Sequence, residues 1–216
     1  TGGTTHVIAT ILAGAKIDTD TFTSGISDFK RMLQCGEKQA ERIERWAKAA
    51  GVWFDNIDKS LAEILGEKIA EGGEAIVFDH GATLIKSIGL DYFIEPILAL
   101  DRISLHNAYF PETRLTVLGF GKDSNNDFKI IVEQPFIKGE RISDVEIAEY
   151  MRKMGFKLYN SRNWTFATSE IYLSDMHDEN VIRSQSGNIF VIDCDIRINT
   201  PELKCDGTRI LTTEIE

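Results

Sequence analysis

The sequence predicts an α+β fold, and three features of the pattern carry that prediction. Apolar residues recur at helical spacing before residue 66. From residue 67 the pattern shifts to short apolar runs separated by two-residue turns. Two later helical stretches are then each followed by further strand pairs, rather than alternating one strand with one helix, which separates α+β from a parallel α/β sheet. The length of 216 residues suits one domain with an appendage. With 43% hydrophobic and 27% charged residues the chain has a globular composition.

Residues 1–23 are rich in Thr and Gly without a period and read as loop or weak strand. Ser24 and Ser27 offer caps for a short helix through Gln34. Glu37 to Ala50 is a better helix, with Ala40, Ile43, Ala47 and Ala50 on one face, Trp46 beside it and Gly51 at its end. A further helix runs from Asp58 or Ser60 to Leu65. Residues 1–64 are therefore expected to form an N-terminal extension and helical cap.

Strands are expected at Glu67–Ala70, Glu74–Asp79 and Ala82–Ile88, turned by Gly72–Gly73 and His80–Gly81. Asp91 to Asn107 reads as a helix with a broad apolar face from Phe93 to Leu105. Leu115–Phe120 and Phe128–Glu133 form a strand pair across the polar turn Lys122–Asp127. Ser143 to Met154 is a helix, because Ser143 followed by Glu146 is a capping box. Phe166–Leu173 does not decide between helix and strand. Val181–Arg183 and Asn188–Ile192 are short strands around Ser184–Gly187.

Charge and composition exclude several classes. The net charge of -10 makes a general binder of nucleic acid or of an anionic membrane a poor fit. Cys35, Cys194 and Cys205 make neither a disulfide framework nor a zinc pattern, and fit a reducing, cytoplasmic setting. The four histidines are far apart and no HExxH occurs. No run of about 18 apolar residues is present. The chain opens on Thr1 rather than Met, so a removed leading segment stays open.

Chemistry concentrates in Tyr172 to Ile196. Asp175 is followed five residues later by Asn180 and thirteen further on by Asp193, at the end of an apolar strand. An Asp in a loop can orient or deprotonate a hydroxyl. An Asn carbonyl oxygen and an Asp carboxylate are hard ligands suited to Mg2+ shared with phosphates. A four-residue turn between the two strands would return the loop carrying Asn180 beside Asp193. The same residues would also serve as an ordinary turn.

D-x-x-x-x-N followed by a strand ending in Asp resembles the catalytic loop and metal-binding Asp of protein kinases. His177 makes the loop D-x-H-x-x-N, similar to aminoglycoside and choline phosphotransferases. Upstream, Ala70 to Val77 (AEGGEAIV), set against G-x-G-x-x-G-x-V, keeps Gly72 and Val77. Lys86, nine residues on in T-L-I-K, resembles the phosphate-contacting lysine of V-A-I-K, although an edge-strand surface lysine would read the same way. Ile130–Gly139 resembles the end of the small lobe running into a hinge. More narrowly, the EGGEA turn, SLHN at Ser104–Asn107, the EQPFI hinge and the SDMHDENV loop look like the compact kinase-like domains embedded in polyvalent proteins of phages and mobile elements. The resemblance covers residues 65–196.

The resemblance implies a reduced bilobal protein-kinase-like fold, with a small antiparallel sheet lobe and one helix over residues 65–137 and a reduced, truncated C-terminal lobe over residues 138–216. It implies an ATP- and Mg2+-dependent phosphotransferase acting on a hydroxyl of a protein Ser, Thr or Tyr or of a small molecule. Asp175 would serve the acceptor hydroxyl, Asn180 and Asp193 would hold Mg2+, and Lys86 would neutralise the non-transferred phosphates. Gly72 and Gly73 would cover the phosphates, and Glu95 would pair with Lys86 unless Asp91 or Asp101 does. Glu133, Gln134 and Phe136 would form the adenine hinge. Pro135 has no N–H, so the donor would be Gln134 or Phe136. The alternative is a catalytically inactive pseudokinase that binds nucleotide or a protein partner.

The pattern also departs from that family. The metal motif is Asp193-Cys194-Asp195 without the usual glycine, which argues against a mobile activation-loop switch. Asp195 is either a second metal ligand or a solvated turn residue, the latter preferred. Ser174 stands where an Arg would receive a phosphorylated activation loop. Only 23 residues follow Asp193, so the chain is either one module of a longer protein or recognises its substrate differently.

Overall fold

The computed structural model describes residues 25–73, 75–90 and 95–199. The loop or weak strand expected over residues 1–23, Glu74, the helix start expected at Asp91, and Cys205 lie outside the described residues. The chain divides into two compact units, one up to Phe136 and one from Ile137.

The first unit opens with α1 (Gly25–Ala50), a single helix where two were expected. Gly36 does not break it. Cys35, Gln39, Ile43 and Ala47 form an i, i+4 row that is buried, and this burial outweighs the roughly 1 kcal/mol that a helix-interior glycine costs. Ala50, expected on that face, is exposed. β1 (Trp53–Phe54) follows, then α2 (Ile57–Leu65). Asn56 caps α2 by accepting from the Lys59 N–H at 3.0 Å, and Gly66 ends it at φ 85°.

The remaining strands are β2 (Lys68–Glu71), β3 (Ala75–His80), β4 (Thr83–Gly89), β5 (Thr116–Lys122) and β6 (Phe128–Pro135). Each lies within two residues of its expected bounds. They make a six-stranded sheet in the order β1-β5-β6-β4-β3-β2. The pairs are antiparallel except β1 with β5, which is parallel. Gly121 permits that join: a Cβ there would run into the Phe54 carbonyl and the Ile57 side chain.

Helices cover both faces of this sheet. On one face Ile130, Val132, Phe120 and Phe128 pack with Ile43 and Ala47 of α1 and with α3 (Pro96–Tyr109) through Ile97, Leu100 and Ile103. On the other, Ile85, Ile131 and Phe78 pack with Ile57 and Leu61 of α2. The helical cap thus contributes to both cores. After α3 and a single 3-10 turn at Pro111–Thr113, Asn107 fixes the chain's entry into β5. It accepts from the Leu115 N–H at 2.7 Å and donates to the Leu115 carbonyl at 2.8 Å.

The second unit has one helix among its described residues, α4 (Asp144–Lys153). The Glu146 carboxylate accepts from the Ser143 N–H at 3.0 Å and from its hydroxyl at 2.7 Å, which holds the expected helix start. Seven short strands surround it: β7 (Gly139–Arg141), β8 (Lys157–Asn160), β9 (Thr165–Ala167), β10 (Ile171–Ser174), β11 (Val181–Ser184), β12 (Ile189–Val191) and β13 (Asp195–Ile198). The undecided stretch from Phe166 to Leu173 resolves into β9 and β10, turned where Thr168 Oγ1 accepts from the Ile171 N–H at 3.0 Å. The strands form a four-stranded sheet β13-β10-β9-β8 and a three-stranded sheet β12-β11-β7. No helix among the described residues is long and apolar enough to cross a membrane.

Candidate active site

The second unit gathers Asp175, Asn180 and Asp193 through its two sheets. β10 delivers Asp175, β11 starts one residue after Asn180, and Asp193 lies between β12 and β13. Val181 pairs with Val191, and one step further the Ile192 N–H donates to the Asn180 carbonyl at 2.9 Å. That bond sets Asn180 beside the residue preceding Asp193. The other sheet pairs Ser174 with Asp195, so the chain leaving β10 at Asp175 runs alongside the chain entering β13.

Asp195 is not a solvated turn residue. It opens β13, is half-buried, and accepts from the Ser174 hydroxyl at 3.0 Å. Ser174, noted in the sequence only as a missing Arg, ties the two strands that carry the candidate carboxylates. Asp193 accepts through Oδ1 from the Cys194 N–H at 2.9 Å.

Asp175 adopts φ 63°, a left-handed conformation that Asp tolerates better than most residues and that concentrates at functional positions. Met176, next to it, is fully buried and anchors the loop. The Asp175 carboxylate is held on both oxygens. Asn180 Nδ2 donates to Oδ2 at 3.0 Å and to the Asp175 carbonyl at 2.9 Å. His177 Nε2 lies 3.2 Å from Oδ1. Since His177 Nδ1 accepts from the Glu179 N–H at 3.2 Å, the neutral ring carries its proton on Nε2 and donates it to Asp175. The 3.3 Å approach of Asn180 Nδ2 to Nε2 is then a contact between two donors. The Asp175 side chain stays 59% exposed, open to an incoming hydroxyl.

One arginine braces this loop from a neighbouring strand, and a second ties β11 to α4 and β7. Arg141 on β7 pairs with Glu179 at 2.8 Å and Asp178 at 3.6 Å. Arg183 on β11 pairs with Glu146 of α4 and, at 3.7 Å, with Glu140. The hydrogen bond from Arg183, aided by Ser143, draws the Glu146 carboxyl down to about 2.

The first unit carries the other expected residues. Lys86 lies on β4 between Val77 and Val132 and is 9% exposed. Strand alternation puts it on the sheet face covered by α1 and α3. The Gly72–Gly73 turn closes the β2–β3 hairpin, and the Gly72 N–H is committed to the Ala75 carbonyl at 2.9 Å. Gly72 therefore does not offer that N–H to a phosphate in this conformation.

Three expected roles need revision. The Glu95 carboxylate turns to α1 rather than to Lys86: it accepts from Gln39 Nε2 at 2.6 Å and from the Cys35 thiol at 3.6 Å. The Phe136 N–H, one of two expected hinge donors, is spent on the Ala82 carbonyl at 3.0 Å. The alternation of an antiparallel ladder then makes Gln134 a hydrogen-bonded pair with Leu84, so its backbone N–H is occupied as well. The Gln134 side chain is buried and donates to the Thr113 carbonyl at 2.9 Å. Glu133 accepts from the Thr83 hydroxyl at 2.9 Å, with His80 Nδ1 3.4 Å away.

Two contributors escaped the sequence reading. His177 was a pattern element, and its D-x-H spacing was the available signal that it orients Asp175. Gln39 gave no signal, because a polar residue on an apolar helix face is visible only once its partners are known.

Among the described residues no three His, Cys, Asp or Glu side chains are grouped to hold a metal ion. One carboxylate and one amide oxygen fall below that count, and Mg2+ bound largely through substrate phosphates and water asks for no more. Asn180 fits such a role, since its side-chain nitrogen is turned to Asp175 and its side-chain Oδ1 has no protein partner among the described residues.

A model of the family described as serine/threonine/tyrosine kinase found in polyvalent proteins matches residues 36–200. No curated protein matches the chain.

Proposed function

The chain belongs to the family of serine/threonine/tyrosine kinases found in polyvalent proteins, and from that premise we propose that it is an ATP- and Mg2+-dependent phosphotransferase acting on a hydroxyl acceptor, with a protein Ser, Thr or Tyr as the first candidate. The observation that carries the reading is the Asp175 carboxylate, fixed by Asn180 and His177 and still open to solvent. Asp175 orients the acceptor hydroxyl and takes its proton as the phosphoryl group transfers. Asn180 and Asp193 are the residues that would hold Mg2+, which supplies charge neutralisation on the phosphates. Lys86 balances the non-transferred phosphates from the small lobe, and the β2–β3 turn covers them.

Asn180 has two tasks in this scheme. Its amide nitrogen positions Asp175, and its carbonyl oxygen is left for the cation. His177 is a positioning residue, acting through Asp175.

The test is calorimetry of Mg·ATP binding to the intact chain and to Asp193→Ala, followed by mass spectrometry of the protein and of peptide acceptors. Binding that depends on both Mg2+ and Asp193, with a phosphorylated product that disappears in Asp175→Asn, supports the reading. Binding indifferent to Mg2+ and to Asp193 removes it. Tight nucleotide binding without any phosphorylated product favours the pseudokinase reading instead.

A further inference from the structure

Adjacent residues on β4 serve opposite faces of the six-stranded sheet. Lys86 faces α1 and α3. Ser87 faces α2, on the side of Ile85 and Ile131. Beside α2 on that second face lies a cleft of about 790 Å3. It runs between α2, the β2–β3 hairpin and the β5–β6 turn.

Two buried oxygens in its lining have no partner: Asp58 Oδ1 and Ser87 Oγ. Ser87 is 2% exposed. A carboxylate oxygen can only accept, and a buried one left unmet carries its full desolvation cost. The surrounding charge is net negative. Five carboxylates line the cleft against Lys68 and Lys129. Both lysines are already paired, Lys68 with Glu71 and Lys129 with Asp123 at 3.2 Å. Asp58, Glu67 and Asp127 are left without a cation.

The missing group is therefore a positively charged donor. The described residues provide no carboxylate cage for a metal ion, whereas Ala62, Ile76 and Phe78 give the cleft apolar walls. Such walls suit an alkyl stem that ends in a charged head. We propose that this face of the sheet is a second ligand site that takes an organic cation: a protonated amine or guanidinium on an aliphatic chain. It borders the Gly72–Gly73 turn but includes none of Lys86, Asp175, Asn180 and Asp193. The head group donates to Asp58 and Ser87 at the floor, and the stem lies along Phe78.

The test is calorimetric titration of the intact, nucleotide-free chain at low salt with spermidine in one arm and N-acetyl-arginine amide in the other. Saturable binding is expected in at least one arm. The tighter arm assigns the source, a free polyamine or a protein side chain. Asp58→Asn should weaken that binding about tenfold or more, as expected for a lost charged hydrogen bond. Ser87→Ala should weaken it by about threefold while leaving Tm unchanged or raised, since it deletes an unmet buried hydroxyl. Asp193→Ala should bind as the parent does. Flat titrations in both arms overturn the proposal, as does equal affinity in Asp58→Asn or a loss confined to Asp193→Ala. Displacement of the bound probe by equimolar Ca2+ or Mg2+ would overturn it in favour of an inorganic cation.

Discussion

Asn180 turns its amide nitrogen onto Asp175, reaching the carboxylate at 3.0 Å and the backbone carbonyl at 2.9 Å. One side chain thereby fixes both the direction of the candidate base and the left-handed backbone that presents it. His177 holds the other carboxylate oxygen. The three residues form one hydrogen-bonded unit, and in the proposed reaction Asp175 would meet the acceptor while the other two aim it.

Asp175→Asn should therefore lower turnover by about 10²- to 10⁴-fold, the usual contribution of a positioned general base, while nucleotide affinity changes little. His177→Ala should lower kcat by about tenfold with KM for ATP unchanged, since it frees one carboxylate oxygen without touching the nucleotide. Steady-state kinetics separates the two parameters. A His177→Ala effect appearing in KM for ATP alone would contradict the positioning role.

A second prediction concerns Gln39, which is fully buried. Its Oε1 accepts from the Ile97 N–H at 3.1 Å, and its Nε2 donates to Glu95 at 2.6 Å. Ile97 lies in the first turn of α3, where backbone N–H groups have no partner within the helix. Gln39 thus caps α3 from a different helix. Gln39→Leu should cost about 2–3 kcal/mol by leaving the buried Ile97 N–H unmet and taking from Glu95 its shorter hydrogen bond. Chemical denaturation reads this directly. Gln39→Glu keeps the acceptor but sets a second carboxylate against Glu95, and should be no better.

These residues mark where the sequence was legible and where it was not. The β2–β3–β4 meander and the β5–β6 pair were readable because alternating apolar positions and glycine turns are local signals. The D-x-H-x-x-N loop was readable because its chemistry sits within six residues. The continuity of α1 through Gly36 was not, since it depends on what covers that helix face. β1, β7, β8 and β13 were also missed. β1 has two residues and β8 is exposed throughout, so neither shows a period, and the partner of β1 is the distant β5. Glu95 differs for a related reason: the resemblance made it the partner of Lys86, but the competing donor Gln39 comes from 56 residues earlier.

The third prediction follows from β1. Its parallel join to β5 depends on the backbones passing at Gly121 and Gly119, where an added methyl meets the Phe54 and Val52 carbonyls. Gly121→Ala should destabilise the first unit by about 1–3 kcal/mol, the usual cost of overpacking. Hydrogen exchange should show the loss first at Trp53 and Phe54, and only later at β4 and β6. Uniform loss across the sheet would mean that β1 is as integral as the central strands.

The fourth prediction uses acid. Glu146 and Arg183 join α4 to β11, three residues after Asn180, and the pair is partly exposed, at 40% and 31%. Arg183 first, and then Ser143, hold the Glu146 carboxyl at about 2, against an ordinary value of 4.5. A folded-state value below the unfolded one binds fewer protons when native, so folding is favoured wherever Glu146 is ionised in both states. Its stabilisation is thus complete above about pH 4.5, shrinks as pH falls and is lost on passing through about 2. The Tm difference between the parent and Glu146→Gln should accordingly stay level from pH 7 to 5 and then narrow toward pH 2. High salt should reduce it at neutral pH, because an exposed pair is screened. A difference that held constant down to pH 2 would mean that neither the Arg183 pair nor the Ser143 hydrogen bonds depend on the charge of Glu146.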